Sequence, residues 1–340
     1  MRIIKHKNKI PLYDNNTILA WFDNPQPNRI VFTDADGFVY STNDLVNWTT
    51  INTSPIYEET SSVYMSQRNR LYIITDAGYD DIYTDDGGLT IATTSNTIFT
   101  PSDPFYSPSL DKLIIPRDVT FTYFETRFAY SDDGGLTFNY SDKKTIKHGG
   151  RGAWSEDLGL FVYWSLDNKL VTSTNGIDWN VVGFIGLYTG DLQALYWFSD
   201  LQLFVGINGN QNDLYEVGVI YSSDGLNWTQ NPLMELLSLP GNSYLYDICW
   251  NPDLSKLIIS GMYNNDIIAI SSPDAQNWTV SNPIAYGGSQ PPIACEYIPN
   301  FGFVLVTTNG DIYQSTDLIT FATYSTPPAS SIRDVKWCGL

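Results

Sequence analysis

The chain has 340 residues, rich in Tyr (23), Phe (16) and Trp (10), and carries a formal net charge of −19. So acidic a chain excludes a nucleic-acid partner, because phosphates are held by clustered Lys and Arg, and it argues against anionic membrane surfaces. No run of 18 apolar residues is present, which excludes insertion in a membrane by an apolar helix, while the wealth of aromatic residues points to strands.

The first nine positions hold Arg2, Lys5, Lys7 and Lys9 without the apolar stretch of a secretory leader. Residues 1–16 are expected to form an arm or a closing strand. A basic arm suits an acidic partner or the other subunits of an assembly. From residue 17 the pattern becomes regular. A strand-like run, Ile18–Phe22, precedes Tyr40–Trp48, which reads apolar strand, Ser-Thr, Asn-Asp, then an aromatic. Related segments follow at Tyr83–Ile91, Tyr130–Phe138, Thr172–Trp179, Tyr221–Trp228, Ile270–Trp278 and Gln314–Phe321. The seven motifs end 41 to 50 residues apart, the length of a four-stranded propeller blade. Upstream of a motif, one strand ends in an aromatic, a polar turn follows and a second apolar strand begins, as in Leu245–Trp250, Asn251–Ser255 and Lys256–Ser260. Each blade therefore runs A, B, C, motif turn, D. The expected fold is all-β: a seven-bladed β-propeller of four-stranded antiparallel blades, one domain over residues 17–340. A further A-like strand near 332–337 takes part in ring closure.

Inside the motif the chemistry is local. The Asp or Asn accepts hydrogen bonds from backbone N–H groups of its own turn, and Gly87, Gly134 and Gly225 supply a positive φ. An aromatic such as Trp48, Trp179 or Trp228 is large enough to wedge beside the neighbouring blade. The first, sixth and seventh motifs lack the glycine and the sixth inserts Pro273, so looser turns are expected there. The second ends in Ile91 where the others have an aromatic.

This pattern resembles the Asp-box, or BNR, repeat, and the resemblance covers nearly the whole chain. It implies that the motif turns are structural and lie opposite the usual ligand face. Acid pairs such as Asp85–Asp86 and Asp132–Asp133 are then turn residues, and Asp34–Gly37 lacks the downstream acids of a calcium loop. No metal or cofactor is expected. The other face carries the B–C and D–A loops, whose Tyr, Asn and Asp residues form the candidate ligand-binding set. In the B–C loops these are Tyr79, Asp80, Asn208, Asp213, Tyr215, Tyr263, Asn264 and Asp266; in the D–A loops they are Tyr188, Asp191 and Tyr286. Aromatic faces stack on sugar rings and amides or carboxylates bond hydroxyls, which suits a glycan or a protein receptor.

Sialidases are the enzymes this resemblance brings forward, and it implies three arginines, a Tyr–Glu pair and an acid–base Asp. Their Arg-Ile-Pro signature is matched only by Lys9-Ile10-Pro11, and lysine cannot form a bidentate fork. Arg117, Arg151 and Arg333 lie toward the ligand face, but nothing orders them as a triad. His6 and His148 stand outside any nucleophile or metal constellation and read as surface residues. Cys249, Cys295 and Cys338 lack metal or redox spacing and read as buried free thiols. The sequence thus points to a non-enzymatic binding or scaffold propeller, a virion-associated structural or receptor-binding component placed in a virion or outside the cell, and otherwise in the cytoplasm. One alternative is a sialidase-like glycoside hydrolase working with two acids. Another is an assembly factor similar to the photosystem-assembly propellers, whose basic patch this acidic chain does not show.

Overall fold

The computed structural model describes residues 9–14, 17–23, 29–34, 38–52, 61–75, 80–94, 102–118, 125–184, 192–208, 218–233, 237, 243–263, 266–281, 284, 291–325 and 332–338. Antiparallel sheets of four strands make up the ring. Blade 2 contains β6 (Ser61–Met65), β7 (Arg70–Ile74), β8 (Ile82–Thr84) and β9 (Ala92–Thr93), paired in chain order. Blade 3 repeats this with β10 (Phe105–Ser107), β11 (Lys112–Asp118), β12 (Thr126–Ser131) and β13 (Asn139–Tyr140). Blades 4 to 7 follow the same order and open on β14 (Arg151–Ser155), β18 (Leu192–Phe198), β22 (Tyr244–Asn251) and β26 (Pro292–Ile298). Blade 1 joins β30 (Ile332–Cys338) to β3 (Arg29–Asp34), β4 (Phe38–Thr42) and β5 (Thr49–Asn52). The first strands touch in a closed circle, β6 to β10 and onward through β26 and β30 back to β6. The molecule is a seven-bladed β-propeller, as the motif spacing predicts.

Closure is a strand exchange between the two ends of the chain. β30 runs antiparallel to β3 from Arg29↔Cys338 to Asp34↔Ile332. The run Ile18–Phe22 therefore does not supply the inner strand of blade 1. It belongs to β2 (Thr17–Asp23), which pairs with β1 (Lys9–Asp14) as a separate hairpin.

Among the described residues the apolar core is divided between the blades. Seven apolar clusters occur, one at each blade–blade interface. Blades 4 and 5, for example, bury Val162, Trp164 and Leu170 against Leu195, Phe204 and Ile220. Alternating strand positions face the two neighbouring blades, so B and C strands read as nearly continuous apolar runs.

The seven motifs form the C–D turns and repeat one set of hydrogen bonds. A hydroxyl donates to the acceptor two residues on, in pairs that run from Thr42–Asp44 to Ser315–Asp317, at 2.7–3.1 Å. The same acceptor takes backbone N–H groups of its own turn; Asp224 accepts from Leu226 at 2.8 Å and Asn227 at 2.7 Å. Burial pushes the Asp224 and Asp274 carboxyls up, but these bonds outweigh it and hold both at about 2. The motifs without glycine are not looser. Leu45, Ala275 and Leu318 adopt φ of 59°, 60° and 60° where Gly176 and Gly225 have 71° and 72°. All three side chains are buried in the interface with the preceding blade, so apolar burial offsets the left-handed strain. The motif aromatics do wedge between blades: Trp179 stacks on Phe128 at 3.8 Å and Trp228 meets Trp164 edge-on at 5.3 Å.

Candidate functional site

The inner strands align on their terminal aromatics. Trp337, Tyr64, Tyr106, Trp154, Trp197, Trp250 and Tyr297 all occupy one register position against the second strand of their blades. Two tie blades together at the A–B turns: Trp197 Nε1 donates to Asp157 (2.9 Å) and the Tyr297 hydroxyl to Asp253 (2.9 Å). Polar residues stand just before these aromatics and face the ring axis. There they line a cavity of about 630 Å³ with contributions from every blade.

The cavity wall is a belt of bonds that cross from blade to blade. The Ser62 hydroxyl donates to Asp334 (2.6 Å), which also pairs with Lys336 (3.0 Å). Arg151 pairs with Asp103 (2.9 Å) and donates to the Gln193 carbonyl (2.9 Å). The Tyr196 hydroxyl donates to Asp247 (3.2 Å), and Asp247 accepts from the Cys295 amide (3.0 Å). Burial raises the Asp247 carboxyl to about 6, against the pull of Lys336 and of the Cys295 and Ile248 amides. Glu296, on the neighbouring inner strand, rises through burial to about 7. Burial works to lower the Lys336 amine, yet Asp334, Tyr196, Glu296 and Asp247 together hold it well above its ordinary value. Tyr196 keeps 39% of its surface open and lines the cavity. Tyr64, Tyr106, Trp197 and Tyr246 complete an aromatic lining. Such a wall holds proton donors, acceptors and flat apolar faces within one concave surface.

Among the described residues, no three His, Cys, Asp or Glu side chains stand close enough to hold a metal ion. His148 is buried rather than on the surface, with the Ser102 hydroxyl 3.3 Å from its ring nitrogens. All three cysteines are buried free thiols.

Of the loop residues singled out in the sequence, Asp80, Asn208 and Asp266 are described. They stand at B–C strand ends of blades 2, 5 and 6, on one face of the ring. Asp80 is exposed, Asp266 is half-buried and opens β24 (Asp266–Ser272), and Asn208 is almost wholly buried. Tyr263 ends β23 (Lys256–Tyr263) and pairs with Asp266 in the ladder; its side chain is not described. Tyr79, Tyr188, Asp191, Asp213, Tyr215, Asn264 and Tyr286 lie outside the described residues. The axial residues Asp247, Glu296, Asp334 and Lys336 were missed in the sequence. Their signal was a charged residue one or three places before the strand-ending aromatic, legible only once the seven inner strands are set in register.

No protein-family model and no curated protein matches the sequence. Solved structures do match. A protein from Lactobacillus plantarum superposes over 91% of this chain and 98% of its own, with a TM-score of 0.67 at 12% identity. The xyloglucanase of family GH74 from Xanthomonas campestris matches over 78% of this chain but 45% of its own, at 0.59 and 15%. YCF48 from Cyanidioschyzon merolae matches over 78% and 84%, at 0.55 and 12%. The likeness is one of fold alone. The same propeller carries hydrolases and other proteins, so fold does not choose between them.

Proposed function

We propose that the chain is a non-enzymatic binding propeller of the Asp-box class, taking a glycan or protein receptor on its B–C and D–A loop face and at the mouth of the axial cavity. The observation that carries this reading is the cavity wall itself. Tyr196, Trp197 and Tyr246 stand beside the Asp103–Arg151 and Asp334–Lys336 pairs, which sets flat apolar faces next to fixed donors and acceptors. The hydroxyl-to-acceptor bond repeated in all seven turns supports the Asp-box assignment. The place proposed is a virion or the cell exterior, as a structural or receptor-binding component, with the basic N-terminus toward other subunits. A charge of −19 and loops rich in Tyr and Asn support it. A glycan array with the purified chain is expected to give binding that falls in Tyr196→Ala and Tyr246→Ala, and mass spectrometry of purified particles is expected to contain the chain. Binding indifferent to both substitutions, or particles without the chain, would remove the corresponding half of the reading.

One observation favours a second reading, glycoside hydrolysis. Asp247, buried, and Glu296, half-buried, are carboxyls on adjacent inner strands, and Glu296, raised to about 7, keeps its proton in roughly half of the molecules at neutral pH, as a general acid requires. This reading expects turnover of a saccharide that Glu296→Gln abolishes. Binding without turnover across a glycan panel decides against it.

A further inference from the structure

Two arginines of this acidic chain face each other, and among the described residues no carboxylate forms an ion pair with either. Arg117 on β11 and Arg127 on β12 are direct partners in the antiparallel ladder, so both side chains leave the same face of blade 3. That face looks toward blade 2, since Ile115 and Ala129 just below pack on Met65 and Tyr72. Both side chains are half-buried, and the Nε atom of each is buried without a hydrogen-bond partner. The Arg117 guanidinium lies 5.0 Å from the centre of the Tyr140 ring. Asp118, next in sequence, is buried and points to the opposite face of the strand. Four other arginines of the ring are engaged, Arg68 with Asp111, Arg70 with Asp85, Arg151 with Asp103, and Arg29 with Ser41 and Thr49, and Arg333 is exposed. Further basic groups come close. Two backbone hydrogen bonds, 3.0 and 2.8 Å, set Lys144 beside Thr126, and the exposed Lys143 pairs with Glu125 at 3.0 Å. Burial lowers the nearby His148 to about 4, with Asp118 opposing that shift and Arg117 adding a smaller push in its favour.

Like charges directly across a ladder destabilise a sheet, and a buried N–H without a partner does so again. An oxyanion between the two forks relieves both, because guanidinium planes match carboxylate and sulfate geometry. We propose that Arg117 and Arg127 form an oxyanion-binding site at the loop end of blade 3, taking the sulfate or carboxylate of an acidic saccharide. The proposal rests on the binding reading and gives its ligand a charge class.

The test is thermal unfolding of the full chain in sodium sulfate and in sodium chloride of equal ionic strength, with Arg117→Gln/Arg127→Gln as comparison. Sulfate stabilises most folded proteins by exclusion, so the difference between the two chains is the readout. The wild type is expected to show an additional sulfate shift that the double variant lacks, and the double variant is expected to melt higher in the absence of anion. In direct titrations with sulfated, carboxylated and neutral oligosaccharides, each single Arg→Gln is expected to weaken the acidic ones about tenfold or more. Arg127→Lys is expected to restore only part of that. Equal sulfate shifts in the two chains, or a double variant less stable than the wild type without anion, overturn the site. Inorganic sulfate held through the arginines while no saccharide binds would leave the site and remove the binding reading. Saccharide binding indifferent to the double substitution would do the reverse.

Discussion

At the scale of single residues, the blade interfaces leave little room. A Cβ on Gly135 would lie 2.1 Å from the Tyr72 ring of the preceding blade, at a φ of +87°. Gly159 has a comparable left-handed backbone (φ +58°) and nothing within 4 Å. Gly135→Ala is therefore expected to lose about 2–4 kcal/mol through forced repacking, and Gly159→Ala only about 1 kcal/mol of backbone strain. Chemical denaturation of the two variants checks the contrast. Leu45 shows which term wins when they oppose. Leu45→Gly relieves about 1 kcal/mol of left-handed strain and loses the burial of a leucine, about 2–5 kcal/mol, so it should destabilise.

At the scale of elements, the closing strand carries the most consequence. β30 contributes Ile332 and Val335 to the cluster between blades 7 and 1, pairs along β3, and places Asp334 and Lys336 in the axial belt. A chain lacking residues 332–338 is expected to lose its cooperative thermal transition and to aggregate through the bare edge of β3, with both regained on adding the strand as a peptide. Size-exclusion chromatography and a thermal melt with and without peptide would show it. The blades were legible in the sequence because each motif combines a hydroxyl, an Asp or Asn acceptor, a left-handed residue and an apolar wedge within nine positions. The closure was only half legible, since Ile18–Phe22 and Ile332–Trp337 carry the same apolar signature and only pairing with β3 separates them. The axial site was not legible, because its residues come together only in the assembled ring. Asp247 and Cys295, or Tyr196 and Asp247, meet only because seven strands converge on one axis.

At the scale of the whole molecule, two sets of carboxyls pull stability in opposite directions with pH. Burial raises Asp81 to about 7, Glu296 to about 7 and Asp247 to about 6. Between pH ~4, where carboxyls titrate in an unfolded chain, and pH ~7, the folded ring holds more protons than the unfolded chain, so stability falls as pH rises through that window. The motif acids act in the other sense. Asp224, Asp274 and Asp317 lie at about 2, so the stability they contribute is present above pH ~4 and is lost as pH drops toward 2. The melting temperature is expected to peak on the acid side of neutrality, and Glu296→Gln with Asp81→Asn should flatten the neutral limb alone. A profile that rises monotonically from pH 4 to 8 would contradict this.

The exchange between β3 and β30 also gives the molecule a history. A ribosome delivers β3 early and β30 only after every other strand of the ring, so the nascent chain stacks its blades into an open arc with a raw edge at each end. During that interval the arc is a template for any strand that reaches it, a neighbour's β30 included. Newly made copies growing side by side on one messenger can therefore trade their last strand, and the clasp that seals a monomer is the same device that would link two.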